Sequence, residues 1–135
     1  MTPVRARPLS PHIGIYRWGP HMTVSILHRA TGTGMALVGL PLFTWWLAAI
    51  AAGPVAYARF VDIFTVASGR LNVVGWVVGV GLTLSLFQHM MTGIRHLVLD
   101  TGAGYELRVN KQGAVATMVA SVLLTAIFWL WMGLR

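Results

Sequence analysis

The chain has no cysteine among its 135 residues. Disulfides, cysteine-ligated iron-sulfur clusters and a covalently attached c-type haem are therefore excluded, and any redox centre must be held by histidine or be organic. Acidic residues are nearly absent too: Asp62, Asp100 and Glu106 are the only three. All lie outside the long uncharged stretches, which leaves no intramembrane carboxylate to relay protons. Charged residues make up only 10% of the chain against 56% hydrophobic, far below the roughly 25% charged share of a soluble domain.

What remains is apolar sequence in long runs. Charges bracket three uncharged stretches, 30–58, 71–94 and 112–134, each longer than the roughly 20 residues needed to cross a bilayer core about 30 Å thick. The expectation is an all-α membrane protein with three transmembrane helices near 24–52, 71–99 and 113–133. Proline at positions 3, 8, 11 and 20 denies the first segment a continuous helix, so 1–21 is read as an extended arm and 22–135 as the membrane domain. Gly53-Pro54 stops the first helix, and Pro41 is expected to kink it. Val55 to Val66 suits a short interfacial helix, and Thr101 to Gly104 breaks the second helix.

The net charge of +7 is scattered around the spans and forms no basic patch, which argues against nucleic acid. Arg5, Arg7, Arg17 and Arg29 precede the first span, and Arg95, Arg108 and Lys111 lie at the second connection. The positive-inside rule then places the N-terminus inside, in cytoplasm or matrix, and the C-terminus outside. No apolar signal run opens the chain, and its first twelve residues are too short and proline-rich for an amphipathic transit peptide. A bacterial inner membrane is expected rather than an imported organellar location. Trp45, Trp46, Trp129 and Trp131 sit where aromatic belts form, and Gly75 to Gly79 is a GxxxG read as helix packing.

His89 is the main anomaly, an ionisable residue deep in an uncharged run. Ser85, His89, Gly93 and His96 share one helix face by their spacing. A neutral imidazole there offers a nitrogen to haem iron, and glycine leaves room for a flat ring. Met90 and Met91, the flanking thioethers, are read as packing. Helix one supplies a matching face of Ser25, Arg29, Gly32, Ala36 and Gly39, polar at its mouth and small farther in. Arg29 snorkelling to headgroups and His89 as a hydrogen-bonded packing residue both stay open on this reading.

Three stretches resemble one family. Residues 7–16, RPLSPHIGIY, are similar to its RPLSPH-x-x-IY opening; 25–32, SILHRATG, to S-I-x-H-R-x-[ST]-G; and His89 to Asp100 to H-x-x-x-G-I-R-H-x-x-x-D. The chain thus resembles the cytochrome b, or large anchor, subunit of succinate dehydrogenase, respiratory complex II. Gln88 stands where that pattern has an aromatic or apolar residue.

The resemblance implies a helical bundle shared with a small anchor subunit, attached through an iron-sulfur subunit to a flavoprotein subunit that oxidises succinate. It implies that His89 is an axial ligand of one haem b whose other axial ligand comes from the small anchor. It implies further that His28 and Arg29 face the haem propionates, and that Ser25 and Arg29 line a ubiquinone site. Arg95, His96 and Asp100 are candidates for ordering water or delivering protons. The chain itself would carry no catalytic residue for succinate oxidation. A proton-coupled transporter with His89 as relay, a fumarate reductase anchor using menaquinone and a structural anchor without haem remain as alternatives.

Overall fold

The computed structural model describes residues 16–134; the arm expected over 1–21 lies mostly outside them. Three long helices form the bundle: α1 (Pro20–Ala51), α3 (Val73–Asp100) and α4 (Leu107–Gly133), each apolar and long enough to cross a membrane. A shorter helix, α2 (Pro54–Phe64), follows α1. The expected all-α membrane architecture is therefore observed.

Local chemistry explains the ends. Pro20 opens α1 and Pro54 opens α2 in the first turn, where a missing N–H costs nothing and φ is already helical. Gly53 turns the chain between them with φ of 97°, a conformation only glycine adopts cheaply. The sequence placed the start of α4 near 113, yet it begins at Leu107. Hydropathy registers only the stretch fit for hydrocarbon, whereas the helix continues past it through Arg108, Asn110 and Lys111.

Pro41 does not break α1. A π-helical turn spans Met35–Gly39, with the Leu40 N–H donating to the Met35 carbonyl. That wider turn falls where the proline ring would meet the carbonyl four residues earlier, so it absorbs the clash a regular α-turn would suffer.

Packing is inverted relative to a soluble protein. Among the described residues, the buried hydrophobic side chains are Val24, Ala49 and Ala114, while Gln88, Thr92, Thr117, Ser121 and Thr125 are buried and polar. Lipid exerts no pull on apolar groups, so small residues and interhelical hydrogen bonds hold the helices instead. The seam between α3 and α4 is built this way. Ser121 Oγ donates to Gln88 Oε1 at 2.7 Å, and Gln88 Nε2 donates to Thr92 Oγ1 at 2.9 Å. Gln88, a departure from the family pattern, is thus accommodated by a serine on the facing helix.

The far end is tied by Asn72. Its Oδ1 accepts from the Gly75 N–H at 2.9 Å, capping α3, while its Nδ2 donates to the Ile63 carbonyl at 2.8 Å. A β-carbon at Gly75 would overlap the backbone carbonyl oxygen of Phe64. Gly79 is covered by the Trp129 ring, whose Cη2 and Cζ2 lie 2.9 Å from where its β-carbon would be. The GxxxG therefore admits the last carbonyl of α2 and an indole. Trp129 also lies near Trp76, centroids 4.9 Å apart, so it packs within the bundle, while Trp45 and Trp131 are exposed. Gly75→Ala is expected to cost about 1–3 kcal/mol, the usual penalty for overpacking against something that cannot yield. A lower thermal unfolding midpoint of the purified complex in detergent checks this.

Candidate functional site

The histidines expected from sequence come together between α1 and α3. The imidazole of His89, on α3, lies flat against that of His28, on α1, with ring centroids 3.9 Å apart and planes 10° apart. His96 meets His28 edge-on at 5.3 Å. One ring of α1 thus bridges two histidines separated along α3.

Gly32 makes the approach possible. A β-carbon there would stand 2.8 Å from Cε1 and 3.3 Å from Nδ1 of His89. Gly32 is also four residues after His28, on the side of the helix toward which the His28 carbonyl points. The absence of a side chain therefore exposes that carbonyl laterally, and His89 Nδ1 reaches it at 3.1 Å. A carbonyl oxygen can only accept, so Nδ1 carries the hydrogen and the lone pair of the neutral ring resides on Nε2. Nε2 makes no hydrogen bond to a described residue.

This is the arrangement of a metal-binding histidine, one nitrogen tied back and the other presented. The donor set suits haem: a single imidazole nitrogen on a small, apolar helix face, with nothing within 4 Å of a β-carbon built at Gly93, one turn along. No group of three or more His, Asp or Glu able to enclose a bare metal ion occurs among the described residues. The planar macrocycle of haem supplies the remaining iron ligands itself, so one imidazole per face suffices.

The other candidates divide. Arg29 is exposed and makes no hydrogen bond or ion pair with the described residues. Ser25, one turn before it, is half-buried, and its hydroxyl makes no hydrogen bond with a described residue. By contrast the hydroxyls of Thr23, Thr31 and Thr44 on the same helix donate to carbonyls four residues back. Arg95 does not join the histidines. Its guanidinium donates to Asn110 Oδ1 at 2.8 Å and lies over Gly113, fastening α3 to the first turns of α4. Asp100 is exposed at the end of α3, and Ser85 borders a shallow groove with Gly34 and Gly81. Met90, read as packing, points outward at 42% exposure.

Two features escape a reading of the sequence: the His28–His89 stack and the seam of Thr117, Ser121 and Thr125 on α4. The seam had a signal, hydroxyls at helical spacing in an otherwise apolar run.

Comparison with known proteins gives the family. Residues 3–128 match the family described as the succinate dehydrogenase/fumarate reductase transmembrane subunit. The chain is 34% identical over 121 residues to a succinate dehydrogenase cytochrome b556 subunit of Paracoccus denitrificans, covering 90% of this chain and 88% of the relative. A subunit of the same name from Rickettsia felis is 30% identical, covering 91% and 90%. The mitochondrial cytochrome b560 subunit of Bos taurus is 33% identical, covering 87% and 66%. The chain therefore belongs to the succinate dehydrogenase/fumarate reductase transmembrane subunit family, as a multi-pass membrane anchor of the cytochrome b type.

Proposed function

We propose that this chain binds haem b through His89 and forms one wall of a ubiquinone site through Ser25 and Arg29, in a succinate dehydrogenase of a bacterial inner membrane. The observation that carries the reading is the state of His89, with Nδ1 held by a backbone carbonyl and Nε2 presented from a face of small residues. His89 would hold the haem iron from this chain, with a small anchor subunit completing the site. When bound, haem b takes up and returns single electrons. His28, stacked on His89, and Arg29 offer donors and positive charge to the propionates.

The N-terminal end of α1, with Arg17 and Arg29, faces inward by the positive-inside rule. There the iron-sulfur subunit docks, joined to the flavoprotein subunit, and electrons from succinate reach the quinone. Ser25 donates a hydrogen bond to a quinone carbonyl. Arg29 stabilises the negative charge that develops on the quinone oxygen as an electron arrives. His96, exposed beside His28, is the residue of its helix end best placed to order water, since Arg95 is engaged with Asn110. Asp100 remains a second proton-handling candidate at the same end.

Family membership removes the transporter alternative. Succinate dehydrogenase is favoured over fumarate reductase because the similar proteins are named as succinate dehydrogenase subunits. The complex purified in detergent is expected to show a b-type band in its reduced-minus-oxidised spectrum, at one haem per copy of this chain. A complex that oxidises succinate without that band contradicts the haem assignment.

A further inference from the structure

Thr31 lies one turn from Leu27 on α1, and its hydroxyl has a divided role. Oγ1 donates to the Leu27 carbonyl at 2.7 Å, with the His28 carbonyl 3.1 Å away. The same oxygen lies 3.4 Å from Nδ1 of His89. A hydroxyl has one hydrogen and two lone pairs. With its hydrogen committed to α1's own carbonyls, Oγ1 faces His89 as an acceptor. The Nδ1–H of His89 is therefore shared between two acceptors, the His28 carbonyl and the Thr31 hydroxyl.

We propose that Thr31 is a positioning residue for His89, its hydroxyl oxygen holding the imidazole in the Nδ1–H tautomer and raising the donor strength of Nε2 toward iron. The proposal rests on the reading of His89 as an axial ligand. Electron density drawn toward the ring by acceptors on Nδ1–H makes Nε2 a stronger donor, which favours ferric over ferrous iron and lowers the reduction potential. A methyl group in place of the hydroxyl removes one acceptor, while the His28 carbonyl remains. The effect on potential is accordingly partial and upward.

The test is a redox titration of the assembled complex, following the b-type band, with Thr31→Val, Thr31→Ser and His89→Leu chains. Thr31→Val is expected to keep its haem and its low-spin spectrum. At the wild-type midpoint potential its ferric-to-ferrous ratio should fall about threefold, a fraction of the 10–100-fold that loss of an outer-shell partner can cost in metal affinity. Thr31→Ser, which keeps the hydroxyl, should titrate as wild type. Thr31→Ala serves as a second deletion if the valine chain assembles poorly, and the same upward shift is expected. Unchanged midpoints in the valine and alanine chains, or a serine chain shifted as far as they are, overturn the role of Thr31. If His89→Leu loses normal ligation at the same time, the failure is confined to Thr31. A His89→Leu chain that keeps a normal spectrum overturns the ligand reading and this proposal together.

Discussion

A His89→Leu chain, assembled in its complex, should lose the low-spin b-type spectrum and most of its haem. On the proposed reading, His89 Nε2 would be the nitrogen by which this chain holds the haem iron. Removing a partner of a ligating histidine already weakens binding by about 10–100-fold, and removing the ligand itself goes beyond that range. Leucine is close to imidazole in volume and apolar, so the contact with Gly32 survives without the nitrogen. The measurement is pyridine haemochrome content together with the reduced-minus-oxidised spectrum. A normal six-coordinate spectrum from the leucine chain at wild-type haem content would falsify the ligand assignment. The alternative, a histidine serving only to pack α3 on α1, predicts that outcome because the His28 carbonyl would lose a hydrogen bond and nothing else.

The second large effect is expected at Arg29. Arg29→Leu should slow quinone reduction by about a hundredfold, the lower end of what removal of one donor to a developing oxyanion costs. Succinate oxidation by an artificial soluble acceptor should be spared, since on the proposed reading flavin and iron-sulfur chemistry lies on other subunits. Ser25→Ala should act in the same direction but less, because a neutral hydroxyl contributes less to a developing charge than a guanidinium. Arg29→Lys should recover only part of the rate: it keeps the charge and loses the planar fork. Equal loss of both activities points to failed assembly. Unchanged quinone reduction would mean that Arg29 only snorkels to the headgroups. Its exposure and lack of a partner among the described residues suit either role, and the rate separates them.

Comparison of particular residues shows where sequence reasoning reached and where it stopped. The apolar runs located the three spans because a bilayer imposes a one-dimensional requirement, enough consecutive apolar residues to cover its thickness. Gly53-Pro54 and Thr101 to Gly104 marked turns because φ restrictions are local, and glycines 53, 102 and 104 do adopt positive φ. The start of α4 was misplaced because a helix can run beyond hydrocarbon, and charged residues in water do not interrupt it. Pro41 announced a disturbance in α1, but not that a π-helical turn would absorb it. His89 was legible as a site through the cost of burying an ionisable group. The contact of Arg95 with Asn110 was not legible, since Asn110 becomes its partner only when α4 folds back alongside α3.

Residue order alone establishes a three-span membrane protein, requires any redox centre to be held by histidine or be organic, and marks which histidine lies deepest. These follow from composition and from spacing along one chain. Only the tertiary structure decided which nitrogen of His89 is presented and what holds the other. That depends on a backbone carbonyl of α1 laid open at Gly32 and on a threonine hydroxyl whose own hydrogen is already committed. Backbone carbonyls have no letter in a sequence. Their availability to a side chain some sixty positions later arises only when two helices approach closely, as α1 and α3 do at Gly32.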